Sequence, residues 1–245
     1  MNFLIQTVNN KIVHDFCFGL VRSWEFAKWR NNPFFIFYCE IERVGDYMDC
    51  IPVGTVEFVE NYYTAHFGNT KINKGFMPLN VPDCLIPYAG RNIWNVNANN
   101  AELVYNQCIN ETMYKKNLYK IKDQSNGFIK VKSINDILNS QISSNLEEHI
   151  VSEWRVFVYH DKVQHIANYS GDCLCFPNPY TIQNMVNTYK NSSPVAYTLD
   201  VFVNDIGDTY VMECHRFFSC GLYGFSDYSI LPYMFSQEWH EILNL

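Results

Sequence analysis

The sequence predicts a mixed helix-and-strand protein, with an alternating α/β unit at its N-terminal end and antiparallel hairpins further on. Three observations carry this reading. Strand and helix patterns alternate through the first hundred residues. Two pairs of β-rich runs flank the turn segments His160-Asp161-Lys162 and Asn204 to Asp208. Of 245 residues, 48% are hydrophobic and 16% aromatic, ample for a core, while the 18% charged fraction gives no sign of wholesale disorder.

In chain order, residues 2–8 read as a short strand and residues 15–31 as a helix, with Phe16, Leu20, Trp24 and Ala27 near one face. Pro33 ends that helix, and Phe34 to Ile41 is a strong strand. A second helix is expected over 55–67, opening at Thr55 and stopped by Gly68. Residues 68–100 are rich in Asn, Pro and Gly and are expected to wrap the surface. A helix or turn over 101–108 leads to a strand near 110–115, a polar loop Asp123–Gly127 and a strand over 128–132. Ser133, with Asp136 three residues on, opens a further helix through a capping-box pattern. Strands are expected over 151–159, 163–170, 195–203 and 209–214, with helices over 180–190 and 229–243.

Composition excludes several classes. A net charge of -7 leaves no broad basic footprint for nucleic acid, and Lys115 to Lys132 is the main local basic stretch. Nine cysteines at irregular spacings include no CxxC, so neither a zinc framework nor a disulfide scaffold is indicated. MNFLIQTVNNK has no basic segment before its short apolar stretch and does not read as a secretory leader. No apolar run approaches the roughly 20 residues of a membrane span. Reduced thiols and a cytoplasmic location are the expectation. GxGxxG and GxxxxGK[ST] are both missing, against Rossmann and P-loop nucleotide binding.

The second of the two hairpins carries the chemistry. Its first strand reads VAYTLDVFV, so Asp200 points away from the face of Leu199 and Val201. Glu213 follows thirteen residues later, and the midpoint falls in the Gly207 turn. The two carboxylates are therefore expected to lie opposite each other on one face, with His215 on the same face. Like charges directly opposed are destabilising unless a cation sits between them. Removing either carboxylate should then leave the melting temperature of the metal-free protein unchanged or raised. A solvated acidic face with an ordinary loop histidine accounts for the same spacing.

This pattern resembles the magnesium-binding signature of the ATP-grasp superfamily, in which an acidic strand residue, a Glu and an Asn two residues on hold magnesium bridging the ATP phosphates. Asp200 and Glu213 match the first two positions, and His215 stands where Asn is usual. Arg216 and the run Ser219 to Gly224 resemble the loop after the metal strand, which shapes the acceptor side. ETMYKKN resembles the strand with a first phosphate-contacting lysine, Lys115, with Lys116 the register alternative; Lys120 or Lys122 resembles the second basic position. The loop Asp123 to Gly127 stands where relatives carry a glycine-rich flap. SEWRVFV resembles a further strand, giving Arg155 to a phosphate or acyl-phosphate or, alternatively, to a structural ion pair, with Glu153 beside it on the nucleotide side. PVGTVEF at 52–58 and Gly90-Arg91 look like the N-terminal lobe of a phage and bacterial ATP-grasp clade of mostly undefined substrates.

The resemblance implies an α+β, ATP-grasp-like fold: an N-terminal α/β lobe over 1–100, then two lobes over 101–245 whose antiparallel sheets enclose ATP. It implies an ATP- and magnesium-dependent carboxylate–amine ligase acting through an acyl-phosphate, on small-molecule or peptide acids and amines. In that scheme Asp200, Glu213 and His215 hold the metal, and Lys115, Lys120, Lys122 and Glu153 contact the nucleotide. Arg155, His215 and Arg216 serve the reacting groups. A nucleotide-binding regulator without turnover, or a kinase or nucleotidyl transferase, are the alternatives on the same scaffold.

Overall fold

The computed structural model describes residues 1–70, 73–144 and 149–245. Eleven strands and six α-helices among them follow the chain as β1 (Asn2–Gln6), α1 (Asp15–Trp29), β2 (Phe35–Cys39), β3 (Ile51–Val53), α2 (Val56–His66), β4 (Ile93–Val96), α3 (Ala101–Cys108), β5 (Thr112–Asn117), β6 (Gly127–Lys130), α4 (Ile134–Ile137), β7 (Ser140–Ser143), β8 (Ile150–Tyr159), β9 (Lys162–Gly171), α5 (Pro179–Tyr189), β10 (Ala196–Asn204), β11 (Thr209–Arg216) and α6 (Leu231–Leu243). They build three sheets. The N-terminal one is parallel, in the order β2-β1-β3. The other two are antiparallel, β4-β7-β5-β6 and β11-β10-β8-β9.

Local chemistry sets several boundaries as expected. Thr55 caps α2, its hydroxyl accepting from the Phe58 N–H at 3.2 Å. Past the other end of that helix, Gly68 takes a positive φ of 117°, which a side chain would resist. Ser133 and Asp136 form a reciprocal capping box on α4. His160 and Asp161 both lie in the left-handed region, at φ 47° and 57°, the backbone a two-residue β8–β9 turn requires.

Residues 68–100 depart from expectation. Val81, Leu85 and Ala89 are buried, and the segment packs with α5 beneath one face of the β8–β11 sheet. Asn, Pro and Gly mark irregular backbone, not exposure; here the interior supplies the hydrogen bonds water would otherwise give. The Gln141 side chain accepts from the Val81 N–H at 3.0 Å and donates to its carbonyl at 2.8 Å. The same segment contributes β4, which pairs with β7 across the expected division at residue 100. The strand β7 itself was not foreseen.

The β8–β11 sheet is covered on both sides. Trp154, Val156, Val158, Leu199, Val201 and Val211 face the α5 side. Phe157 and Tyr159 face a larger core shared with the N-terminal sheet, α1 and α6. Strand β8 is accordingly apolar at almost every position, and the charged residue it does carry must be paired. A third, smaller core lies between the β4–β7 sheet and α3 and α4. No described helix is long and apolar enough to cross a membrane.

Candidate active site

The two antiparallel sheets face each other across a cleft, and the hairpin of β10 and β11 forms its floor. Its register places Asp200 opposite Glu213 and Thr198 opposite His215. Between the turn and this point the register shifts, so that Val201 pairs with Val211 and Met212 is the extra residue of a β-bulge. Without the bulge, Asp200 would face Met212. Arg91 fastens the bulged strand: it donates to the carbonyls of Val211 at 3.1 Å and Met212 at 2.9 Å, and to that of Ala89 at 3.1 Å.

Asp200, Glu213 and His215 converge as expected, with one ligand atom of each within 4.8 Å of the others. Nε2 of His215 lies 3.4 Å from Asp200 Oδ2 and 3.2 Å from Glu213 Oε1. Burial pulls the His215 pKa down, with Asp200 opposing, which favours neutral imidazole. Asp200 is only 2% exposed. Burial acts to raise its pKa, but hydrogen bonds from Arg155 and His215 prevail and hold it below the ordinary value.

Arg155 resolves the alternatives left open for it on the side of an ion pair. It grips Asp200 in a two-point fork, Nε to Oδ1 at 2.8 Å and Nη2 to Oδ2 at 2.7 Å, while Nη1 donates to the Gly221 carbonyl at 3.1 Å. The guanidinium also lies 5.8 Å from the Tyr169 ring and 4.8 Å from that of Tyr223, two rings stacked on each other at 5.2 Å. The Tyr223 loop is held from the N-terminal helix: Asp15 Oδ2 accepts from the N–H groups of Leu222 at 2.6 Å and Tyr223 at 3.2 Å. Glu153 lies on the same face as Arg155 and accepts from the Tyr169 hydroxyl at 3.0 Å.

The lysines sort by strand alternation. In β5, Tyr114 and Lys116 point into the cleft, and Lys116 makes an ion pair with Glu213. Met113 points into the small core on the other face, and Lys115 shares that alternation and acts on Asp136. The register alternative, Lys116, is therefore the cleft residue, and Lys115 is not. Burial pushes the Lys116 ammonium down to about 8, with Asp200 opposing that shift and Arg91 adding to it.

Two cavities meet at the Lys116–Glu213 pair. The larger, about 430 Å³, lies between the sheets and takes Tyr114, Lys116 and Phe128 from one, Glu153, Arg155, Tyr169, Asp200 and Glu213 from the other, and Tyr223 from the loop after β11. The smaller, about 270 Å³, is lined by Lys120, Lys122, His215, Arg216 and Asn80, and shares Tyr114, Lys116 and Glu213 with the first. Lys120 and Lys122 thus stand across the acidic corner from the larger cavity. Arg216 is buried, with Nη1 3.4 Å from Glu241 Oε1 of α6. Glu238 on the same helix accepts from the N–H groups of Phe217 and Phe218 at 2.8 and 2.7 Å, fixing the chain just past His215 and Arg216. Burial lifts Glu238 to about 8, against the pull of Arg216 and of those two N–H groups. The expected flap, Asp123 to Gly127, is tied to β5: Asn117 donates from its side chain to Asp123 at 2.9 Å and from its backbone to Asn126 at 2.7 Å.

A family model describes this arrangement: an ATP-grasp domain, family 2 of its clade, matches residues 88–231. The chain belongs to the ATP-grasp family. The match runs from just before β4 to the start of α6 and includes Arg91, Lys116, Arg155, Asp200, Glu213 and His215. Among solved structures, the D-cycloserine synthetase DcsG superposes with a TM-score of 0.54 at 9% identity, covering 99% of this chain and 100% of that one. The ATP-grasp ligase PsnB complexed with minimal precursor gives 0.51 at 10%, over 96% and 99%. The D-alanine–D-alanine ligase from Bacillus anthracis complexed with ATP gives 0.50 at 12%, over 99% and 97%. At such identities the likeness is one of fold, and it confirms the α+β, ATP-grasp-like class. No curated protein matches the chain in sequence.

Sequence reasoning missed Asp15, Tyr169 and Tyr223. Tyr169 had a usable signal, since alternation puts it on the face of Ala167 in a strand paired with β8. Asp15 and Tyr223 had none, because 208 residues separate the partners.

Proposed function

We propose that this protein is an ATP- and magnesium-dependent carboxylate–amine ligase acting through an acyl-phosphate. The observation that carries the reading is the Asp200–Glu213–His215 corner standing where two cavities of unequal size meet. The larger has the volume and aromatic lining of a ligand pocket and suits the nucleotide. An acid in the smaller one would reach the γ-phosphorus from the side opposite ADP, as in-line transfer requires.

The donor set fits magnesium. Two carboxylates are the hard oxygen ligands it prefers, and imidazole is the weaker contributor. Asp200 and Glu213 would hold the ion, which would offset charge on the β- and γ-oxygens. Lys116 would leave Glu213 for the phosphates, so one ammonium serves the acidic corner before binding and the nucleotide after it. Arg155, braced by Asp200 and the two tyrosines, keeps its remaining N–H groups for the transferring phosphoryl group. Glu153 would accept from the sugar hydroxyls. The carboxylate oxygen attacks phosphorus and the bond to the β–γ bridging oxygen breaks, its electron pair leaving with ADP. An amine then attacks the acyl carbon, phosphate departs, and the amine loses a proton.

The direct test is hydroxylamine trapping. Incubation with ATP, magnesium, a panel of acids and hydroxylamine should release ADP and hydroxamate in equal amounts. Saturable ATP binding with no ADP from any acid would favour the nucleotide-binding regulator, and a phosphorylated product would favour a kinase.

The lowered Lys116 pKa gives a pH signature. Below about pH 8 the ammonium is charged and attracts phosphate; as pH rises through that value the proton is lost and so is the attraction. Affinity for the non-hydrolysable analogue AMPPNP should therefore fall above about pH 8 in the native protein. With Lys116→Arg it should stay level, because guanidinium keeps its proton. Flat native affinity across this range would remove Lys116 from the phosphate site.

A further inference from the structure

We propose that the acid this protein activates is a small dicarboxylate, whose second carboxylate is received by Lys120 and Lys122. The inference rests on the ligase reading and deepens it. The smaller cavity carries more positive charge than one reacting carboxylate needs. Of its cations, Lys116 faces Glu213 and Arg216 faces Glu241. Lys120 and Lys122 form no ion pair with any described residue.

The acids that could neutralise this lysine pair are otherwise engaged. Asp123 accepts from the Ser125 N–H at 2.7 Å and from Asn117 at 2.9 Å. Glu57 and Glu60 of α2 line an adjoining groove with both lysines but lie beyond ion-pair distance, and burial together with Glu57 raises the pKa of Glu60. The segment is also fixed in place. Ile121, between the two lysines, packs against the main core, and Lys122 adopts a positive φ of 54°. Two ammonium groups thus flank a closed polar end of the cavity, while the acidic corner lies at the other end. A molecule with a carboxylate at each end satisfies both.

The test is a charge series at matched length. Affinities of succinate, glutarate and adipate would be measured by calorimetry beside butyrate, valerate and hexanoate, with magnesium and AMPPNP present. The tightest dicarboxylate should bind about tenfold or more better than its monocarboxylate partner, the scale of one charge-assisted contact. Lys120→Gln with Lys122→Gln should erase that ratio and leave AMPPNP affinity within about twofold. Equal binding across the series overturns the proposal, and so does a double variant that weakens AMPPNP instead, which would place the lysines on the nucleotide. Hydroxylamine trapping separates the two readings. Hydroxamate formed as readily from monocarboxylates keeps the ligase and overturns the dicarboxylate. Lysine-dependent dicarboxylate binding with no ADP or hydroxamate supports the anion site and removes the ligase.

Discussion

Asp200→Ala should destabilise the metal-free protein by about 3–5 kcal/mol, the cost of stripping one partner from a buried ion pair. The melting temperature should fall by roughly 6–20 °C, given about 2–4 °C per kcal/mol in a chain of this size. Sequence reasoning leads to the opposite sign, since it sees two opposed carboxylates and expects relief when one goes. The difference is Arg155: its fork closes on Asp200 at 2.7 and 2.8 Å and both side chains are almost fully enclosed, so the variant leaves a guanidinium charge in the interior. Pairing the change with Arg155→Met should recover most of the loss, because a buried pair replaced by apolar groups is often nearly neutral. Thermal unfolding of both variants checks this. An undisturbed melting temperature in Asp200→Ala would mean that Arg155 has another anchor.

Glu213→Ala should act on chemistry and hardly on folding. Its only described ionic partners are Lys116 and His215, and both its side chain and that of Lys116 are about one-fifth exposed. Such a pair contributes about 1 kcal/mol or less to stability. Activity is another matter. A metal ligand offsetting charge on a transferring phosphoryl group supplies several kcal/mol, so ADP release should drop on the order of a hundredfold to a thousandfold. Glu213→Gln should do little better, since the carboxamide keeps the shape and loses the charge. Steady-state ADP release with and without magnesium is the measurement. A variant within about threefold of the native rate would take Glu213 out of the metal site.

These two outcomes show which parts were readable in advance. The acidic corner was legible because strand alternation and one glycine turn constrain it. Even so, the count of thirteen concealed a structural feature. Near the turn Val203 pairs with Thr209 and Val201 with Val211, so an unbroken ladder would keep Asp200 an even number of residues from its partner. Only the Met212 bulge allows an odd spacing. The helix starts at Thr55 and Ser133 and the β8–β9 turn were legible for the same reason, each being decided within four residues. What escaped was decided at long range. Burial of residues 81–89 depends on α5 and on a glutamine sixty residues away. The choice of Lys116 over Lys115 depends on which face of β5 meets the other sheet. The partner of Arg155 was one of several carboxylates until β8 and β10 were aligned.

The supports of the cleft reach beyond the stretch that defines the family. That stretch ends at residue 231, yet Glu238 and Glu241 hold the chain just past the acidic corner, and Asp15 holds the loop that lays Tyr223 on Arg155. What is inherited as a recognisable module is therefore smaller than what must fold together. Divergence at positions 15, 238 or 241 would register in the geometry of the cleft while leaving every residue of the signature intact.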